Sequence, residues 1–339
     1  YGWNEESHFA LLRSITEENR FEIDSFANQT GDRAFYNNHY YSDKGPGLAF
    51  LATPAYTLWR FVYNFFPGWF KERYKQKEDF VTQIVGKEVP IITLVDKGFF
   101  LFSAMIIVTV LTSGIFTALT SILIYRVSKF FFKEDYLRCL MAITYGVGTL
   151  AFHYALHFMN HATSAFLSFL SFFILFKSEK EKMINWRKFF LAGIFLGTSI
   201  VVDRLLIVFV PFMLGYAFSL SKKDSLIFLY GLFLSTLPFF IYNYTIFSDP
   251  FLLPSFFIDR NIYTTLPPVR LESRNIIQSS VISIDFIQKL FHLESLAANT
   301  KIMGRMLAFP YRGLIFYSPV LLLSLLGLFF MLDEYEGKT

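Results

Sequence analysis

The chain alternates long apolar runs with polar segments, and the apolar runs predict membrane-spanning helices. A bilayer core of about 30 Å is crossed by roughly 20 predominantly apolar residues in helical conformation. Runs that meet this requirement occupy residues 99–125, 136–156, 158–176, 225–247 and 313–332. Each of these runs therefore predicts one transmembrane helix.

A further apolar stretch, residues 189–220, is too long for a single span. Asp203 and Arg204 interrupt it near the middle, and basic residues flank both of its ends. If both ends lie on the same side of the membrane, the stretch must cross it twice. We therefore expect two short helices with Asp203 and Arg204 at the far tip of a hairpin, which brings the total to seven spans.

The basic residues of the short connections indicate the orientation of the chain. Three alternate connections are basic, and they contain Arg126, Lys129 and Lys133; Lys177, Lys180, Lys182, Arg187 and Lys188; and Lys222 with Lys223. Cytoplasmic loops carry an excess of Lys and Arg, so we expect these connections in the cytoplasm. The long polar segments 1–96 and 248–312 then face the outside. By the count of spans, the acidic tail 333–336 falls on the cytoplasmic side. Acidic residues contribute little to the rule that sets the orientation.

The composition agrees with a membrane protein and excludes an ordinary water-soluble fold. Hydrophobic residues make up 54% of the chain and charged residues 17%, whereas soluble domains carry about 25% charged residues. The net charge of +4 is scattered along the chain, so the expected partner is the lipid bilayer and not nucleic acid. The single cysteine, Cys139, excludes an internal disulfide.

These patterns predict an all-α polytopic protein, integral to the cytoplasmic (inner) membrane. We expect an outer loop with juxtamembrane helices over residues 1–96 and a bundle of six transmembrane helices over 97–247. A second outer loop over 248–312 and a further transmembrane helix with a cytoplasmic end over 313–339 complete the chain. Because the sequence opens on polar residues without Met, we expect a fragment that lacks a first span and a C-terminal part.

Candidate chemistry begins in the first outer segment. Phe9 and Leu12 recur at helical spacing behind Asn4, Glu5 and Glu6, which predicts a helix with acidic residues in its first turn. Two interpretations of Glu5 and Glu6 stay open. They offset the helix dipole, or they have a chemical role.

A second candidate patch follows in the same segment. His39 and neighbouring aromatic residues precede the adjacent pair Asp43 and Lys44, and Gly45-Pro46-Gly47 breaks regular structure before the apolar run 48–66. Lys44 is either an anchor at the lipid head groups, with Asp43 as its partner, or a ligand for a lipid phosphate, since it lies just before a predicted membrane-surface helix.

Both patches resemble motifs of the GT-C glycosyltransferases, most closely the protein O-mannosyltransferase and aminoarabinose transferase branch. The sequence EESHFA from Glu5 resembles the acidic motif after the first span, and SDKGPG from Ser42 resembles the [E/D]-K-x-P-[G/A] motif. The patches YGVGTLAFHYALHFMNHATSAFL from Tyr145, YNYTIFSDPF from Tyr242 and YRGLIFYSPVLLL from Tyr311 are similar to further family segments. The resemblance implies a GT-C-like transmembrane bundle.

The resemblance also implies the transfer of one sugar from a polyprenyl-phosphate-linked donor to an acceptor at the outer face, with inversion. Glu5, or Glu6 in its place, is then the general base on the acceptor hydroxyl, although the family most often carries Asp there. Cations would stabilise the departing phosphate. The candidates are Lys44, His8, Arg33, His39 and Arg312. The acceptor class (protein, lipid or glycan) and the need for a divalent metal stay open.

Further residues are expected to shape the site. They are Asp43, Gly45, Pro46, Gly47, His161 and Arg204. Asp203 with Arg204 has two interpretations, a satisfied ion pair or a contribution to the site. His153, His157 and His161 are spaced by four residues, but a new helix is predicted to begin at residue 160, which would break a common face, so no metal ligand is assigned.

Two other functions stay open beside the enzyme. One is a transporter or flippase of a lipid-linked or anionic substrate, and the other is a non-catalytic GT-C-like subunit. Transporters typically show internal repeats and interrupted helices at the bilayer midplane, whereas this chain shows no repeat and concentrates its polar features in the outer segments. The non-catalytic subunit stays an alternative because Glu5 stands where the family most often carries Asp.

Overall fold

The computed structural model describes residues 2–68, 98–259, 300 and most positions from 302 to 327, and these are mostly helical. Within this described part, three helices are long and apolar enough to cross a membrane, namely Gly98–Ser128, Asn160–Lys180 and Lys222–Phe247. They coincide with three of the apolar runs. The chain is therefore mostly helical and carries candidate membrane-spanning helices, as its hydrophobic pattern predicts.

The described elements are labelled in chain order. The helices are α1 (Trp3–Arg13), α2 (Gly47–Asn64), α3 (Gly98–Ser128), α4 (Asp135–Gly148), α5 (Leu150–Ala155), α6 (Asn160–Lys180), α7 (Trp186–Val202), α8 (Val210–Leu220), α9 (Lys222–Phe247) and α10 (Leu314–Tyr317). The strands are β1 (Arg33–Tyr36) and β2 (His39–Ser42). Short π or 3-10 turns occupy Ser14–Glu18, Asp24–Gln29, Arg204–Phe209 and Pro254–Phe257.

The chain divides into two compact units. The first comprises Tyr1–Leu119 and Tyr154–Asp259, and the second comprises Thr120–His153 and Arg260–Thr339. Residues 97–247, predicted as one bundle, contribute to both units. The candidate site described below lies within the first unit.

The N-terminal segment contains a β-hairpin that the hydrophobic pattern did not predict. Strand β1 pairs antiparallel with β2, from Arg33 opposite Ser42 to Tyr36 opposite His39. The connecting residues Asn37 and Asn38 both have left-handed backbones, with φ of 49° and 67°, as a type I′ hairpin turn requires. This segment therefore departs from the all-α prediction, because two adjacent Asn residues tolerate the turn that brings the strands together.

Helices α7 and α9 pack unusually closely because glycines line their contact. A Cβ on Gly193 would lie 2.0 Å from the carbonyl oxygen of Phe228, and one on Gly231 would lie 2.4 Å from that of Phe190. Small residues at such positions let the backbones of two membrane helices approach each other. The glycines thus fix the distance between α7, which ends just before Asp203, and α9.

The apolar stretch 189–220 forms two helices, as predicted, and not one. Helix α7 ends at Val202, and Asp203 has an extended backbone, with φ −138° and ψ 103°. The Asp203 carboxylate accepts a hydrogen bond from the backbone N–H of Leu205 at 3.2 Å, which caps the following 3-10 turn. A polar residue in the middle of an apolar stretch therefore ends one helix and starts the next.

Several element ends of the first unit meet at one place, which we call the site end. It is defined by the start of α6 at Asn160, the end of α7 at Val202 and the end of α9 at Phe247. The ring of Tyr36 packs against that of Phe247 with centroids 5.0 Å apart. Gly47 at the start of α2 abuts Val202. The N-terminal segment is therefore seated on the site end of these helices.

Two predicted spans differ from the structure or lie partly beyond it. The run 136–156 is divided into α4 and α5 at Thr149, whose backbone is extended, with φ −131° and ψ 177°. The Thr149 hydroxyl accepts the N–H of Ala151 at 3.1 Å, so a local side-chain cap interrupts the run. Of the run 313–332, the structure describes α10 and some neighbouring positions, and the remainder lies outside the described residues.

Candidate functional site

The two motif segments of the N-terminal region contact each other directly. The hydroxyls of Ser7 in α1 and Ser42 at the end of β2 lie 2.8 Å apart, and Ser7 also donates to the Asp43 carboxylate at 3.4 Å. All of these side chains are buried. The chain therefore folds back between the acidic motif and the Asp43-Lys44 motif.

Lys44 lies between two carboxylates. Its ammonium is 2.9 Å from Asp32 and 3.1 Å from Asp43. Burial raises the pKa of Asp43 above its ordinary value, and the charge of Lys44 only partly offsets that effect. The charge of Lys44 is thus largely balanced by its own neighbours, and a further anion at this position would compete with them.

The Gly45-Pro46-Gly47 turn presses Asp43 and Lys44 against the end of α7. A Cβ on Gly47 would lie 2.5 Å from the backbone nitrogen of Val202, and one on Gly45 would lie 3.0 Å from the carbonyl oxygen of Val201. Only glycine permits this approach at residue 47. The turn therefore brings the predicted site residues next to Asp203 and Arg204.

Arg204 differs from the other cations of the site because it has no direct partner. Across the described ranges its guanidinium forms no hydrogen bond or ion pair, and the residue is half-buried. Its charge acts to lower the pKa of both Asp43 and Asp203, so it lies within electrostatic reach of both carboxylates. Of the two interpretations of Asp203 with Arg204, the structure favours a place in the site over a closed ion pair.

Asp203 instead pairs with a histidine from the neighbouring helix. The Nδ1 atom of His161, in the first turn of α6, lies 3.1 Å from Asp203 Oδ2. The carboxylate side chain is 9% exposed and the imidazole 40% exposed, and the ring of Tyr154 packs edge-on against that of His161. His161, predicted to line the site, is thus held there by a buried acid.

Glu5 forms a second pair of the same kind. Its Oε1 atom lies 2.5 Å from Nδ1 of His157, and its Oε2 atom accepts the backbone N–H of Gly2. The carboxylate is 1% exposed, whereas the imidazole is 34% exposed. Glu5 therefore caps the first turn of its helix, and it also holds a histidine 152 residues away in the sequence.

Sequence reasoning missed His157 as a site residue. It lies just before α6, four residues ahead of His161. That spacing was visible in the sequence, but it pointed to shared metal ligands. In the structure, each histidine has its own carboxylate. The available signal was the presence of two histidines at this spacing and of one acid in each of two distant polar patches. Together they could have suggested two His–carboxylate pairs.

His8 is present in the site but is not a cation. It is fully buried, and neither ring nitrogen has a hydrogen-bond partner among the described residues. The Asp203 carboxylate and the Asn160 side chain favour the protonated ring, but they are outweighed. Burial, with the charges of Lys44 and His161, lowers the pKa of His8 to about 3. The structure therefore does not support His8 as a cation for the donor phosphate, because burial disfavours its protonated form.

The remaining cation candidates are engaged elsewhere or lie outside the described residues. Arg33 pairs with Asp259 at 3.1 Å. His39 pairs with Asp24 at 2.7 Å and is half exposed; it precedes Ser42 by three strand residues, or about 10 Å. Each of the two is thus engaged with an acid of its own. Arg312 lies outside the described residues.

The second acidic candidate is less enclosed than Glu5. Glu6 is partly exposed, and burial raises its pKa. No hydrogen bond or ion pair to its side chain occurs in the described part of the chain. Within that same part, no group of three or more His, Cys, Asp or Glu residues could hold a metal ion.

The site therefore combines two His–carboxylate pairs, a lysine between two acids and an arginine that pairs with none of the described residues, all at the site end of the first unit. Comparisons with protein-family models, with curated proteins and with solved structures find no match for this chain. Any functional conclusion consequently rests on these residues and their geometry.

Proposed function

We propose that this chain is a GT-C-like membrane glycosyltransferase that transfers a sugar from a polyprenyl-phosphate-linked donor to an acceptor, with inversion. The observation that carries the proposal is the contact between the two motif segments. Through it, a buried acid–base pair (Glu5 with His157) and two cations (Lys44 and Arg204) belong to one cluster. Such a cluster offers what the reaction requires, a proton acceptor on one side and positive charge for a leaving phosphate on the other.

Arg204 is the principal ligand of the donor phosphate in this proposal. A guanidinium binds phosphate oxygens through two parallel hydrogen bonds, and Arg204 has its donors available because no described acid contacts it. Lys44 adds charge beside it, although Asp32 and Asp43 already offset part of that charge. Phosphate binding would therefore depend on Arg204 more strongly than on Lys44, which refines the role that the resemblance suggests.

The polyprenyl chain requires an apolar surface that starts near the phosphate. Helix α2 begins at Gly47, the last residue of the Gly45-Pro46-Gly47 turn, and exposes Leu58 and Phe61, which are both 60% accessible; Phe65, just after its end, is 73% accessible. Large exposed apolar side chains in a row mark contact with lipid or an apolar ligand. We place this surface and the site end at the outer membrane face, in agreement with the basic connections at the opposite helix ends.

Mass spectrometry of lipid co-purified with the protein tests the proposal. We expect a polyprenyl-phosphate-linked sugar, whose occupancy falls at least tenfold in Arg204→Ala because a charged hydrogen bond contributes about 1.5–3 kcal/mol. Lys180→Ala is the matched control, since Lys180 lies at the other end of α6, 19 residues or about 28 Å from His161. Glu5→Gln should retain the donor and lose transfer. Purified protein that carries no such lipid and transfers no sugar from added donors would contradict the function.

A further inference from the structure

The carboxylate of Glu5 is poorly placed to touch a substrate. Both of its oxygens are occupied, one by the Gly2 N–H and the other by His157, and the side chain is 1% exposed. A general base must come within about 3 Å of the proton that it removes. Because the side chain is 1% exposed, an acceptor hydroxyl could reach Glu5 only if the residues around it moved apart.

His157 has the properties that Glu5 lacks. Its side chain is 34% exposed, and its Nδ1 atom faces the carboxylate. A carboxylate that accepts the Nδ1–H fixes the tautomer in which Nε2 carries the lone pair. The carboxylate also stabilises the imidazolium that forms when Nε2 takes a proton, which is the division of labour in Ser-His-Asp triads.

We propose that His157 is the catalytic base of the transfer and that Glu5 is its positioning residue, an inference that rests on the proposed transferase function. The acceptor oxygen forms a bond to the anomeric carbon while its proton moves to His157 Nε2. The bond between the anomeric carbon and the phosphate oxygen breaks, and its electron pair leaves with the polyprenyl phosphate. The imidazolium, held by Glu5, then releases the proton to water.

The second pair, His161 with Asp203, belongs to the phosphate side of the site. Asp203 is adjacent to Arg204 and also caps the turn that carries it. An imidazole beside Arg204 would face the departing phosphate and not the acceptor. The two pairs therefore have similar geometry but different roles. The base is His157, whose partner Glu5 belongs to the acidic motif.

His157→Gln separates proton transfer from positioning. The Gln amide can still donate a hydrogen bond to Glu5, so the carboxylate keeps its partner, but it cannot accept a proton. If His157 is the base, kcat falls about 10²–10⁴-fold in both His157→Gln and His157→Ala, while KM for the donor and its occupancy stay near the wild-type values. His153→Gln, a change at an exposed histidine four residues earlier, is the control.

Added imidazole provides the second measurement. We expect imidazoles to restore transfer in His157→Ala, with more basic imidazoles restoring more at a pH where all are neutral, and to leave Glu5→Gln unchanged. Thermal unfolding of each variant in lipid nanodiscs verifies the fold. If His157→Ala does not fold, the kcat of His157→Gln still tests the proposal.

Three results would overturn the assignment. One is a His157→Gln variant that keeps wild-type kcat, which returns the base to Glu5. Another is rescue that does not depend on the basicity of the imidazole, which assigns His157 a packing role. In both, wild-type transfer persists and the proposed function stands. Absence of transfer by the wild-type protein itself removes both proposals together.

Discussion

Replacing Gly47 by Ala tests whether the Gly-Pro-Gly turn holds the site together. The added Cβ would lie 2.5 Å from the backbone nitrogen of Val202 and 2.6 Å from the carbonyl group of Val201. Ordinary contacts begin near 3.5 Å, and backbone atoms at a helix end cannot rotate away, so the turn must retreat by about 1 Å. Overpacking of this kind costs about 1–3 kcal/mol.

The same displacement should also reduce transfer. Misplacement by about 1 Å lowers reaction rates about 10²-fold, because Lys44 would move relative to Arg204. Unfolding in mixed micelles measures the loss of stability, and a sugar-transfer assay measures the loss of activity. Gly215→Ala is the matched control, since its Cβ meets nothing within 4 Å and Ala is favoured over Gly in a helix by about 1 kcal/mol. Equal stability and equal transfer in the two variants would refute the close contact at residue 47.

Three further predictions follow from the packing. With Cys139 replaced by Ser, the double variant Ser7→Cys/Ser42→Cys should form a disulfide under mild oxidation, because the two hydroxyls lie 2.8 Å apart; thiol titration measures it, and two persistently free thiols would contradict the contact between the motifs. Gly193→Leu should destabilise the fold by about 3 kcal/mol or more, because its Cβ would lie 2.0 Å from a backbone oxygen of the facing helix; wild-type stability in micelle unfolding would contradict that packing. The pKa of His8 is lowered to about 3 in the folded chain, so the unfolded state binds more protons between that value and about 6.5, and stability should rise with pH across this window. His8→Leu should remove that part of the slope, and an unchanged slope in pH-dependent unfolding would show that His8 is not buried as a neutral ring.

The sequence determined the features that depend on local pattern. Apolar runs long enough to cross a bilayer favour helices, and three candidate spans coincide with the runs that predict them. Asp203 was expected to divide the stretch 189–220, and it does, because a charged side chain competes for backbone hydrogen bonds and caps the next turn. The Gly45-Pro46-Gly47 turn was likewise evident from residue type alone.

Local pattern failed where a side-chain cap or a tight turn outweighed hydrophobicity. Thr149 interrupts an apolar run through a single hydroxyl, which a hydropathy average does not register. Asn37 and Asn38 close a hairpin inside a segment predicted as an outer loop with juxtamembrane helices, because Asn adopts the left-handed backbone that most residues avoid. Both residues were visible in the sequence, but their effect depends on whether neighbouring strands or helices complete the contact.

Only the tertiary structure decided which partners the site residues have. The pairing of Glu5 with His157 and the neutral state of His8 depend on how α1 packs against the start of α6, which the histidine spacing alone does not determine. Lys44 was expected to be the available cation, but two acids surround it, whereas Arg204, adjacent to a helix end, has no direct partner in the described chain. Residue types and turns are local properties of a sequence, but charge balance and exposure arise from packing between distant segments.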